Sequence, residues 1–249
     1  MPTSKRIRLL LAYDGSDLAL DAVRYIAGTF SRHRSYIVIF YVETKIPKAF
    51  WHMEQGLDFR FRAPEIRASM AQHQKTVTVR MEAAKEILLT AGFPSKRIFT
   101  KVHIKNIGVA ADIVEEARQG YDALVMGRKG QNRIKDLLSA PLPVKLVGKI
   151  TSIPLIVVGK TRAPQNVLIA FDGTREISRA VESMAQLMDA QGKQLLLCHC
   201  SNELQETDIK VSPRLFDHPR AFFLDAGFTR DQIRCEIMLQ APPLFSEHP

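Results

Sequence analysis

Leu11-Ala12-Tyr13-Asp14-Gly15-Ser16 returns as Ile169-Ala170-Phe171-Asp172-Gly173-Thr174, 158 positions further along the chain. An apolar run over residues 7–13 leads into the first copy, and a helical pattern leads out of it, with Leu18, Ala22, Val23, Ile26 and Ala27 on one face. The reading is strand, turn, helix. The register then holds without a gap: Ala22, Val23 and Ala27 match Ala180, Val181 and Ala185, and Val38–Val42 matches Leu196–Cys200. Further on, Ala91-Gly92-Phe93 with Ile98 returns as Ala226-Gly227-Phe228 with Ile233 at an offset of 135, so the second copy is 23 residues shorter, the shortening falling between Glu43 and Gln74. A repeat of this length implies two homologous domains.

The stretches between these landmarks extend the pattern. Tyr36–Val42 is nearly continuous in apolar residues and rich in Val, Ile and aromatics, the composition of a parallel strand covered on both faces. Residues 65–91 carry a long helical pattern closed by Gly92, and Ile98–Ile104 alternates as a strand. Ile107–Arg118 is helical, Ala123–Met126 a strand, residues 142–150 a short helix and Pro154–Val158 a last strand. Alternating elements of these lengths specify an α/β fold, a doubly wound parallel five-stranded sheet of the flavodoxin-like or Rossmann-like nucleotide-binding kind. The first domain spans residues 1–161 and the second 165–249, with Pro164 in the linker Arg162–Gln165 interrupting both neighbouring strand patterns. The second copy is partial: after its strand Ile233–Leu239 comes Gln240 to Pro249, with no counterpart of residues 107–159.

Composition narrows the class. With 249 residues, 46% of them hydrophobic, the chain can bury two cores. The apolar run after the basic start breaks at Tyr13 and Asp14, too early for a secretory core, and no uncharged apolar run reaches the ~18 residues of a membrane span. A cytoplasmic protein with no membrane partner is expected. Its three cysteines make no disulfide framework. Cys198-His199-Cys200, with Cys235 nearby, does not read as a metal site, because on a strand the two cysteines face one side and the histidine the other. The net charge of +9 asks about anionic partners, but the Lys and Arg are scattered with no aromatic platform interleaved, so nucleic acid is not expected.

Chemistry concentrates after the fourth strand. Val125-Met126-Gly127-Arg128-Lys129-Gly130 follows a buried strand and precedes a helix, the place where doubly wound sheets bind ligands. Glycine there lets backbone N–H groups approach phosphates. The Gly127-x-x-Gly130 step, the Asp14-Gly15-Ser16 turn and the repeat together resemble the universal stress protein family, over residues 5–160 fully and 165 to about 239 in part.

The resemblance implies a regulatory nucleotide binder in stress response, not an enzyme, with ATP or AMP as ligand. It places Ala12 and Asp14 at the adenosine end, Val42 beside the base, and Met126, Gly127, Arg128 and Gly130 around ribose and phosphates. In nucleotide-binding members the loop ends, nine residues on, in Gly-Ser or Gly-Thr; here those positions hold Ala140 and Pro141. Proline has neither N–H nor hydroxyl, and alanine resists the positive φ open to glycine, so phosphate contacts are lost and binding is expected to be weak or absent. Arg128, Lys129, Arg133, Lys135, Lys145 and Lys149, opposed only by Asp136, still favour an anion. Two plainer readings stand beside this: Ala140-Pro141 starts a helix from a Ser139 cap, and Asp14 is a turn and cap residue.

The alternative function is a nucleotide-free dimerising scaffold, or a binder of another small ligand. Enzymes of the wider superfamily need Ser-Gly-Gly-x-Asp-Ser or His-x-Gly-His steps, and neither occurs. Family members pair through their last strands, which implies a homodimer through residues 154–159.

Overall fold

A computed structural model of the chain describes residues 6–43, 57–128, 141–159, 165–171, 175–201 and 206–239. The chain divides into two compact units, the first built from Met1–Gly28 and Arg32–Arg162, the second mainly from Ala163–Pro249.

In the first unit the order is β1 (Ile7–Ala12), α1 (Asp17–Thr29), β2 (Ser35–Glu43), α2 (Leu57–Thr90), β3 (Ile98–Ile104), α3 (Val109–Ala117), β4 (Ala123–Gly127), α4 (Leu142–Leu146) and β5 (Leu155–Val158). The five strands form one parallel sheet in the order β3-β2-β1-β4-β5. Side chains alternate across it. Leu10, Ala12, Phe40, Leu124 and Met126 share one core with Ile113, Ala117, Tyr121 and Leu146 from the α3 and α4 side. Leu9, Leu11, Ile37 and Ile39 are buried on the opposite face. On that face Tyr13 and Tyr41 bond to residues of α2.

Helix boundaries depart from the sequence reading for local reasons. The helix expected from residue 65 begins at Leu57, and its apolar residues taken over the whole length gather on no single face, so its start offers no apolar period to read. The helix expected over 109–118 and the two residues before it starts only at Val109, because the Asp112 carboxylate takes the N–H groups of Asn106 and Ile107 and holds them in a turn. The helix expected over 142–150 stops at Leu146, and Gly148 then turns the chain with a left-handed φ of 78°.

The second unit runs β6 (Asn166–Phe171), α5 (Arg175–Leu187), β7 (Gln194–Ser201), α6 (Glu206–Asp225) and β8 (Ile233–Leu239), a parallel sheet in the order β6-β7-β8. Val181, Ala185, Leu195, Leu197, Phe216, Phe223 and Phe228 form its core, with Phe223 and Phe228 edge to face at 5.5 Å. The strand pairing of the two units is congruent. Ile7 lies opposite Ser35 and Asn166 opposite Gln194, both 28 positions apart. Ile37 lies opposite Ile98, 61 apart, and Leu195 opposite Ile233, 38 apart, a difference of 23, of which the helix lengths, 34 residues in α2 and 20 in α6, account for 14.

Candidate functional site

The strand order reverses between β1 and β4, so the carboxyl ends of these two strands open a crevice, the position where sheets of this kind take ligands. Ala12 and Met126 are cross-strand partners there, both buried and both on the α3 and α4 face. Val42 sits at the end of the next strand, half-buried against the same core. Asp14 and Arg128 are exposed beyond the strand ends, and the Arg128 N–H continues the ladder by donating to the Val158 carbonyl at 2.7 Å. These residues converge, while Gly130 and Ala140 lie outside the described residues.

Local chemistry explains the turn after β1. The Asp14 carboxylate accepts from the Ser16 N–H at 2.9 Å, and the Ser16 hydroxyl accepts from the Ala19 N–H at 3.2 Å. Asp14 therefore closes an Asx turn and Ser16 caps α1, leaving one carboxylate oxygen of Asp14 without a bond in that turn. Gly15 has φ 75°, a conformation that disfavours any side chain, and Arg80 of α2 lies so close that an added Cβ would meet its Cδ at 2.9 Å.

Gly127 has a packing reason of its own. A Cβ there would lie 2.7 Å from the Leu18 carbonyl oxygen and 3.2 Å from the Ala19 nitrogen, so the end of β4 touches the backbone of the first turn of α1. Close backbone approach, not ligand contact alone, calls for glycine at this position. Pro141 is exposed and itself occupies the position before α4, with its carbonyl accepting from Lys145 at 3.1 Å. The expected Ser139 cap is thereby replaced, and Ser139 lies outside the described residues. Pro141 brings a helix start with no N–H to offer.

Tyr13, Tyr41 and His73 lie beside this site and were not among its expected residues. The Tyr13 hydroxyl donates to the Arg80 carbonyl at 2.9 Å, and the Tyr41 hydroxyl lies 3.1 Å from His73 Nε2. Burial pushes Tyr13 up to about 12, against the opposing pull of Arg80, and burial with help from Glu43 and Asp14 raises Tyr41 as well. Both phenols stay protonated at neutral pH, and that of Tyr13 donates. The signal was present at one position: Tyr13 is Phe171 in the repeat, so the first copy alone carries that hydroxyl.

A family model described as the universal stress protein family matches residues 6–159. The chain belongs to the universal stress protein family. Among solved structures, a universal stress protein from Archaeoglobus fulgidus DSM 4304 is 16% identical, with 95% of this chain and 78% of that one covered at a TM-score of 0.58. A universal stress protein in complex with cAMP is 18% identical, covering 64% of this chain and all of its own at 0.41. A putative universal stress protein from Pseudomonas aeruginosa UCBPP-PA14 is 18% identical over 92% and 73% of the two chains at 0.44. No curated protein sequence matches the chain. Its five-stranded sheet is that of a universal stress protein, and a second, incomplete sheet comes after it. Among the described residues no helix is long and apolar enough to cross a membrane, and no three His, Cys, Asp or Glu side chains cluster as metal ligands.

Proposed function

We propose that this universal stress protein is a cytoplasmic regulatory protein of the stress response whose first unit binds an adenine nucleotide, ATP or AMP, with low affinity and no organised catalysis. The observation that carries the reading is the convergence of Ala12, Asp14, Met126 and Arg128 at the reversal point of the sheet, beside a loop end closed by Pro141. The nucleoside end fits: a small residue, Ala12, leaves room between two strand ends, and an oxygen of Asp14 faces outward. The phosphate end fits poorly, since Pro141 offers neither N–H nor hydroxyl. A relative's cAMP supports an adenine ligand only as a family habit. The second unit, on this reading, is a partial copy confined to residues 165–249, and the congruent strand pairing supports that origin.

Calorimetric titration with ATP and AMP tests the proposal. The wild-type chain should bind weakly or not at all, and Ala140→Gly with Pro141→Ser should gain at least tenfold. Tight wild-type binding, or no gain, would overturn it.

A specific observation favours the nucleotide-free dimer as the second reading. β5 is the sheet edge, it carries no charge over Leu155-Ile156-Val157-Val158, and Val157 is 39% exposed. Homodimers joined through residues 154–159 would cover it. Val157→Lys should then convert dimer to monomer in sedimentation experiments at micromolar concentration, and an unchanged distribution would remove this interface.

A further inference from the structure

The amino-terminal ends of the first sheet, opposite the candidate nucleotide site, gather Arg6, Arg8, Arg32, His33, Arg34, Lys96 and Arg97, all flanking or opening β1, β2 and β3. We propose that this end is a binding surface for single-stranded nucleic acid.

The charge is concentrated, with the Asp122 carboxylate, which takes the Arg8 backbone N–H, as an acidic neighbour. Residues 1–162 hold 27 Lys and Arg against 14 Asp and Glu, a net +13, whereas residues 163–249 hold 8 against 12, a net −4. Arg6, Arg32 and Lys96 are exposed, and among the described residues the ion pairs involve none of them, nor Arg34 or Arg97. Pairing brings the starts of three adjacent strands together, with Ile7 opposite Ser35 and Ile37 opposite Ile98, so these side chains crowd an edge about 10 Å across at ~4.8 Å per strand.

Aromatic rings are interleaved with the charges, which only the tertiary structure brings about. The Arg8 guanidinium lies 4.9 Å from the Tyr121 ring centre, and those of Arg97 and Arg6 lie 5.3 and 6.0 Å from that of Tyr36. Arg8 and Arg97 are further held by backbone carbonyls, Arg8 by Gln119 and Gly120 and Arg97 by Arg32 and His33. Guanidinium planes fixed in this way present flat, cationic faces on which unstacked bases can lie. Phe99, two residues along β3 and 48% exposed, adds an open ring. Arg32, Arg34 and Lys96 remain for phosphates.

The fold itself does not require most of this charge. At the matching positions the second unit has Pro164, Asn166, Ala190, Gln191, Gly192, Asp231 and Gln232, and Tyr36 is Gln194. Lys193, which is buried, Arg230 and Arg234 run the other way, matching Ser35, Ser95 and Phe99. Arg97 keeps a folding task that Gln232 shares by donating to the Ala190 and Lys193 carbonyls, but Arg6, Arg32, Arg34 and Lys96 have no basic counterpart in a scaffold that folds without them. A protein partner would ask for an apolar centre in the contact, and Phe99 is the one large apolar side chain exposed near this end among the described residues.

Fluorescence anisotropy of a labelled 20-mer oligouridine with the full chain tests the proposal. Wild type should bind saturably at 50 mM salt and weaken steeply by 200 mM. Arg6→Gln/Arg32→Gln/Lys96→Gln should lose at least tenfold at 50 mM and lower the log–log salt slope by about 2, at ~0.7 per phosphate contact on a single strand. Arg179→Gln/Arg230→Gln/Arg234→Gln removes as many charges from the second unit and should change binding less than twofold. Phe99→Ser should weaken binding severalfold with an unchanged slope. No saturable wild-type binding, equal losses in the two triple variants, or a 20-mer duplex bound as tightly as the single strand would each overturn the proposal. Displacement by polyglutamate as effective as by unlabelled RNA would likewise assign the surface to acidic proteins instead. Far-UV circular dichroism of each variant establishes that a loss is not unfolding.

Discussion

Leu10 and Leu168 occupy the same place in two strand–helix–strand segments of one register, yet Leu10 is fully buried and Leu168 is 57% exposed. The difference lies in the elements that come after each sheet's first three strands. In the first unit β4 pairs with β1 and α3 and α4 close over Leu10, Phe40 and Leu124. In the second, β6 is an edge, and among the described residues no strand pairs with its far side. The second unit's hydrophobic cluster lies on one face, where α5 and α6 pack through Phe216, Phe223 and Phe228, while the face of Leu168 also holds the buried Cys198. The same three-strand register can thus be held by a core on both faces or mainly on one, and only the two-faced version builds a crevice at a reversal of strand order.

The sharpest way to break this comparison is substitution at matched positions. Gly127→Val should unfold or severely destabilise the first unit, by about 3 kcal/mol or more, because its Cβ meets backbone and not a movable side chain. Urea denaturation followed by circular dichroism reads this directly, and an unaltered midpoint would mean that the contact with α1 yields. Leu10→Ala should cost about 2–5 kcal/mol, whereas Leu168→Ala should stay within about 0.5 kcal/mol. Equal costs would show that the exposed face is covered in solution.

Two smaller effects separate the units by pH. Asp112 has no counterpart in the second unit. Burial alone would raise its carboxyl, but the N–H groups of Asn106, Ile107 and Gly108, with His103 beside it, more than offset this, so it sits below its ordinary value. A depressed carboxylate adds stability that is complete above its unfolded value of about 4 and is lost as pH falls through the folded one. Acid titration should therefore unfold the first unit less steeply below about pH 4 in Asp112→Asn than in wild type, although the variant starts less stable.

Tyr13 runs the opposite way. Raised from 10.0 to about 12, it stabilises the folded state fully below pH 10 and loses that contribution between pH 10 and 12. Tyr13→Phe, which makes the first copy like Phe171 in the second, should cost about 1 kcal/mol at neutral pH and abolish that alkaline loss. A variant with the same alkaline profile as wild type would remove Tyr13 from the account.

Much of this was legible in advance. The recurrence of Asp14-Gly15-Ser16 as Asp172-Gly173-Thr174 and the near-continuous apolar run of Tyr36–Val42 announced a parallel sheet. Burial on both faces leaves few residue types to choose from, so such strands are visible in composition. The convergence of Ala12 with Met126 came from strand ends and topology. The beginning of α2 was not legible, because the apolar residues of this helix do not gather on one face. Nor was the reason for Gly127, since its constraint comes from Leu18, over 100 positions away.

The sequence by itself determined the alternation of strands and helices and the family, because local burial and turn geometry write these into neighbouring residues. Only the tertiary structure decided which distant side chains meet: Tyr13 and Tyr41 with α2, and Arg6, Arg8 and Arg97 with Tyr36 and Tyr121 at the amino ends of the strands. Pairing in a parallel sheet joins residues separated by whole helices, and no local pattern records which of the chain's 35 Lys and Arg will share an edge.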